Sequence, residues 1–265
     1  MTTREFSFYK LLDSTLMFWL GLILVALMGL ALGLLGGGGS ILAVPILEYV
    51  FGMEAHAAIA GSLVLVGGTA LLSALLHHRS QPVDWRSALV LAAIGAPLSL
   101  LGGWLSRRVP GSVLMLLFGL LMLVMGAAMF RRRPDPPAHA QPRALALVLS
   151  AAAVGFLTGF LGIGGGFLIV PALVLFLRVP MKRAVGTSLL VIALNTGVAL
   201  VMHRHELHLE AMSLGPMSAA ALVGTFAGVE ALRWLDARRL RKLFALFVIL
   251  VGVWMVARHA ASLMR

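Results

Sequence analysis

Two glycine clusters stand out from an apolar background: Gly36-Gly37-Gly38-Gly39-Ser40 and Gly162-Ile163-Gly164-Gly165-Gly166, each followed five residues after its last member by a proline, Pro45 and Pro171. No Lys or Arg lies deep in the surrounding apolar runs, so a pocket of cationic side chains is not on offer. A short helix starting near Ser40 or Gly166 offers its first backbone N–H groups instead. These lack intrahelical partners and carry the positive end of the helix dipole, an arrangement that suits a small anion. Glycine, lacking a side chain, lets a ligand or another backbone approach closely. Gly36, Gly38, Gly39 and Ser40 in one cluster, and Gly162, Gly164, Gly165 and Gly166 in the other, are therefore candidate substrate-binding residues. Each proline also withholds an N–H, leaving a carbonyl without its donor at Ile41 and at Phe167.

An oxyanion needs several hydrogen-bond donors, and Ser62, Thr187 and Ser188 can supply hydroxyls. Asn195 lies in the middle of an apolar run, where an amide needs a partner, and completes the candidate binding set. His77 and His203 end two such runs, with His78, Arg79, Arg204 and His205 beside them; an interfacial role is expected there. Glu48 and Glu230 are the carboxylates nearest the apolar runs, and Glu230, three residues before Arg233, is explained by a helical ion pair. Catalysis would need a nucleophile with an oriented base, or a metal cluster. Ser40 has no His or Asp in the interior runs to activate it, and no His-Glu-x-x-His occurs, so no catalytic residue, metal site or cofactor is expected.

The elements that position these residues follow from composition. Of 265 residues 60% are hydrophobic and 12% charged, and the hydrophobic residues come in continuous runs near 16–35, 57–76, 87–105, 113–130, 144–162, 184–202, 212–232 and 240–257. Each run, about 20 residues long, crosses a hydrocarbon core of roughly 30 Å as a helix. Backbone groups cannot stay unpaired in lipid, and the runs do not alternate as barrel strands do. The fold class is all-α, a polytopic helical bundle in a lipid bilayer. The first run continues into glycines with no small-residue cleavage site, so it is expected to remain in the mature protein. The net charge of +11 sits in short connections, where Lys and Arg set orientation, so no nucleic-acid partner is implied. There are no cysteines, which excludes disulfides and thiolate sites.

Laid over residues 161–256 with a constant shift of 126, residues 35–130 match at unusual positions. Leu35-Gly36 falls on Leu161-Gly162, Pro45 on Pro171, Ser62-Leu63 on Ser188-Leu189, His77 on His203, Gly102 on Gly228 and Arg107 on Arg233. A duplication is indicated: segment 1–15, a first repeat over 16–130, a linker at 131–143, a second repeat over 144–257 and a tail at 258–265. The apolar piece after each cluster is too short to span. If it merely ends the preceding span, the repeats are parallel and the 21 Lys and Arg divide 11 against 10; if the glycines turn the chain back, the repeats are inverted and the division is 14 against 7. The positive-inside rule favours the inverted arrangement, with linker 131–143 cytoplasmic and both termini opposite.

The run Gly162-x-Gly164-Gly165-Gly166 to Pro171 followed by Gly186-Thr187-Ser188-Leu189 resembles the pattern of the sulfite exporter TauE/SafE family. The first copy shows a degenerate form, with Gly37 at the variable place, Ser40 for the last glycine and Ala60-Gly61-Ser62-Leu63 for the second element. The resemblance covers residues 16–257. It implies a secondary carrier of small anions of the sulfite, sulfate or organosulfonate class; a bacterial inner membrane is the expected setting, and H+ or Na+ are candidate coupling ions. A carrier of an unrelated small solute and a non-transport assembly subunit are the alternatives, and a homo-oligomer is compatible with the sequence.

Overall fold

A computed structural model describes residues 3–80, 83–131, 144–161, 166–202 and 214–263. Among them every regular element is helical. The order is α1 (Thr3–Leu35), a short segment made of a 3-10 turn (Gly37–Leu42), α2 (Ala43–Pro45) and a π turn (Ile46–Val50), then α3 (Ala55–Ser80), α4 (Trp85–Ser106) and α5 (Gly111–Arg131). The second half has α6 (Ala144–Leu161), a short segment made of α7 (Gly166–Pro171) and a π turn (Ala172–Phe176), then α8 (Met181–Met202), α9 (Leu214–Trp234) and α10 (Ala237–Leu263). Among the described residues eight helices are long and apolar enough to cross a membrane, and the pieces Gly37–Val50 and Gly166–Phe176 are not.

The glycines do turn the chain back. Gly36 has φ 75°, a conformation that costs a residue with a side chain more than it costs glycine. After it the chain retraces α1: Gly39 lies against Met28 and Leu32, and Phe51 against Gly21 near the start of the span. The short helix starts at Gly37, earlier than the expected start near Ser40, because the glycines themselves coil into its first turn. Both prolines are followed at once by π turns, which close with Phe51 N–H to Ile46 O (3.3 Å) and Leu177 N–H to Ala172 O (3.2 Å). The wider turn follows directly on the residue that has no N–H to donate.

Helix directions follow from close glycine contacts, the usual means of bringing helices together where lipid supplies no hydrophobic drive. Gly29 meets Ala221 and Gly33 meets Thr225, so α1 and α9 run parallel; Gly155 meets Gly95 and Gly159 meets Ser99, so α6 and α4 do too. Gly67 meets Thr196 while Gly186 meets His77, so α3 and α8 run antiparallel. Gly119 meets Gly252 and Val256 while Gly126 meets Ala245 and Ile249, and α5 and α10 are likewise antiparallel. Thus α1, α3, α5 and α9 point one way, and α4, α6, α8 and α10 the other. Chain ends Thr3 and Leu263 then lie toward one face, here the terminal face. The end of α5 and the start of α6 lie toward the opposite, linker face. Phe118, Phe167 and Phe244 are buried at the centre, where the rings of Phe118 and Phe167 meet edge to face at 4.8 Å.

Candidate functional site

The two glycine breaks meet. A β-carbon on Gly37 would overlap the carbonyl of Gly166 and lie 2.7 Å from Phe167 N, and one on Gly166 would lie 2.9 Å from Ser40 Oγ and 3.0 Å from Ile192 Cδ1. Ile192 is midway along α8, a helix of 22 residues, so the contact sits near half depth. Gly36 faces α8 as well, with Ser188 Oγ 2.6 Å from the place of its missing β-carbon. Gly36, Gly37, Gly166 and Ser188, all buried, and Ser40, half-buried, therefore form one group. Gly38 and Gly39 point elsewhere: Gly38 lies under the Phe247 ring and Gly39 against the α1 backbone. Gly162, Gly164 and Gly165 lie outside the described residues, as does His203.

The hydroxyl protons expected to serve an anion are used locally. Ser40 donates to Gly37 O (2.7 Å), Ser62 to Ile59 O (2.7 Å) and Ser188 to Val185 O (2.8 Å), each within its own turn, as hydroxyls in apolar helices commonly do. Thr187 Oγ1 accepts from the N–H of Asp84 (3.1 Å). The oxygens of Ser40 and Ser188 lie against the meeting point, and their protons can be redirected by rotation about the Cβ–Oγ bond.

Asn195 is the candidate residue with open space before it. It lies on a cavity of about 300 Å³ between α4, α6 and α8, whose wall includes Ser99, Thr158, Ile169, Ile192 and Thr196. Ile169 is three residues beyond Gly166, so the cavity reaches the edge of the meeting point. Thr69, at the place matching Asn195, is buried and donates to Leu65 O (2.5 Å). Along α3 its neighbours Leu65, Val66, Ala70 and Ser73 are buried too. This part of α3 is packed, whereas the matching part of α8 borders the cavity.

His77 is not interfacial as expected. It is 1% exposed and its Nε2 lies 3.1 Å from Gly33 O, tying the end of α3 to the last turn before the break. Glu230 does pair with Arg233, at 2.9 Å. Sequence reasoning missed Gly37, which occupies the variable place of its pattern yet makes the tightest contact with the other break. It also missed the pairing of Asp84 with Arg183, at 3.5 Å; no periodicity could signal it, since the two residues lie in different halves.

Comparison with known proteins places the chain. Residues 21–255 match the family described as Sulfite exporter TauE/SafE. A probable membrane transporter protein of Xylella fastidiosa (strain 9a5c) is 39% identical over 247 residues, covering 89% of this chain and 94% of that protein. Another, from Bacillus subtilis (strain 168), is 26% identical over 88% of this chain and 97% of its own length. No solved structure matches. Eight apolar helices, two broken segments and a match over almost the whole chain agree: this chain belongs to the sulfite exporter TauE/SafE family of multi-pass membrane transporters.

Proposed function

We propose that the protein is a secondary carrier that moves a small anion of the sulfite, sulfate or organosulfonate class by alternating access. The observation that carries this reading is the meeting of the Gly36–Ser40 and Gly166 breaks at half depth, beside a cavity whose wall includes Asn195. Backbone N–H groups of the short segments, with Gly36, Ser40, Ser62, Gly162, Gly164, Gly165, Gly166, Thr187, Ser188 and Asn195, make up the binding region. Because Gly37 and Gly166 touch, the anion sits at the cavity edge of the meeting point, not between the two breaks.

The rocking units are the repeats 16–130 and 144–257, related by inversion. Three features support this relation. Corresponding helices α3 and α8, and α5 and α10, are antiparallel neighbours. The pairing of α1 with α9 recurs, exchanged, as α6 with α4. The π turns recur at the shift of 126, with near-identical end geometry: φ −93° and ψ −5° at Phe51, φ −92° and ψ −4° at Leu177. The linker face carries 14 of the 21 Lys and Arg and is the cytoplasmic one. Inverted repeats around a midplane site are the usual construction of secondary carriers.

The test is flux of radiolabelled sulfite, sulfate and a small organosulfonate in proteoliposomes, with and without pH and Na+ gradients. Saturable flux, lowered by Asn195→Leu in protein that still inserts, is the expected result. Absence of flux for all three anions overturns the substrate class.

A further inference from the structure

The cavity wall follows α4 from Leu91 to Leu100 and α8 from Val191 to Ala199, which leaves the linker-side ends of both helices to close the seam toward that face. The first turns of α4 and α8 do so with a polar cluster. Asp84 caps α4, accepting from the N–H of Ser87 (3.1 Å) and from its hydroxyl (2.7 Å). The N–H of Asp84 donates to Thr187 Oγ1 on α8 (3.1 Å). Arg183, one turn earlier on α8, places Nη2 3.5 Å from Asp84 Oδ2, with side chains 18% and 12% exposed. Beside it, Val83 and His77 close on Gly186, whose missing β-carbon would lie 3.3 Å from Val83 Cγ2 and 3.4 Å from His77 Cβ.

The matching end of the α3–α9 seam has different chemistry. The shift of 126 puts Ala57 in the place of Arg183 and Gly61 in the place of Thr187, while Glu210, in the place of Asp84, lies outside the described residues; Gly61 is covered by Leu214 and Leu47. The α3 side of that end lacks the cation and the hydroxyl that α8 presents, where an ion pair is joined to a helix cap. An ion pair shielded from water is directional and separates as a unit, whereas apolar contact yields gradually.

We propose that Asp84, Arg183 and Thr187 form the linker-side seal of the solute path, a contact between the two halves that holds α4 against α8 while the cavity is open to the terminal face. The proposal rests on the alternating-access reading, but its test needs no substrate. The chain has no cysteine, so Val83→Cys introduces a single thiol at a buried position next to the seal. In everted vesicles a membrane-impermeant maleimide reaches it from the linker face only when the seal parts.

Slow labelling is expected in Val83→Cys alone, and labelling on the order of tenfold faster when Asp84→Asn or Arg183→Gln is added, the range of a hydrogen-bonded charge. Asn still caps a helix, and Arg183→Gln leaves the cap untouched, so two independent variants report. The double variant should label no faster than the faster single one, and Arg183→Lys should stay slow. Unchanged labelling in both singles, or multiplied effects in the double, overturns the seal. Absent flux in the intact protein with the labelling pattern present overturns the carrier reading instead.

Discussion

Replacing Gly37 by alanine drives a methyl group into the backbone of the opposite break. The new β-carbon would sit 2.7 Å from Phe167 N and closer still to the Gly166 carbonyl, against 3.4 Å for ordinary contact. These neighbours are main-chain atoms in a buried segment, so no side chain can rotate away, and the two short segments must separate. Overpacking of this kind costs ~3 kcal/mol or more. For a chain of this size that is roughly 6–12 °C of midpoint temperature. The assay is loss of the monodisperse elution peak on heating detergent-purified protein. One heating rate serves all variants, because unfolding of such bundles is a kinetic quantity. The control is Gly197→Ala on α8, where nothing lies within 4 Å and the change should gain about 0.5–1 kcal/mol of helix preference. If Gly37→Ala melts with Gly197→Ala, the two breaks do not touch and the midplane reading fails.

Other expectations follow from the same contacts. Gly159→Ala, whose β-carbon would lie 2.6 Å from Ser99 Cα, should part α6 from α4 and lower the melting point by a similar amount. Glu230→Gln breaks an i,i+3 pair with Arg233 in which both side chains are about half exposed (43% and 52%); stability should move by less than about 0.5 kcal/mol in the same melt. Thr196→Cys, on the cavity wall, should react with an impermeant maleimide from the terminal face in right-side-out vesicles. Labelling of it from the linker face alone would reverse the direction in which the cavity opens.

Much of the architecture was legible because lipid makes helix length and apolarity nearly sufficient signals. The run expected over 144–162 is the helix Ala144–Leu161, and that over 113–130 is Gly111–Arg131. The turn-back at the first glycine cluster was legible too, since a break inside an apolar run has few physical uses. What a linear reading does not carry is the partner of each surface. Gly37 looked variable because a pattern records residue type, while its constraint comes from Gly166, 129 positions away. The hydroxyls of Ser62 and Ser188 looked like free donors because the local carbonyls that accept their protons become near neighbours only once the helix exists. His77 looked interfacial because it ends an apolar run beside His78 and Arg79, and its bond to Gly33 depends on how α1 and α3 are juxtaposed.

The antiparallel neighbours α3–α8 and α5–α10 have an energetic consequence. Under the proposed alternating access, in which corresponding halves trade conformations, the state facing the other side is assembled from the same kinds of helix contact, with the roles of the halves swapped. Most terms in the free-energy difference between the two orientations then cancel by construction. The residual bias belongs to the positions where the halves disagree, such as Asn195 against Thr69, Arg183 against Ala57 and Thr187 against Gly61. A few kcal/mol at those places sets the resting population, since about 1.4 kcal/mol is a tenfold shift between two states. The preferred orientation of the empty protein is thereby tunable by single substitutions that leave the scaffold's own stability nearly untouched.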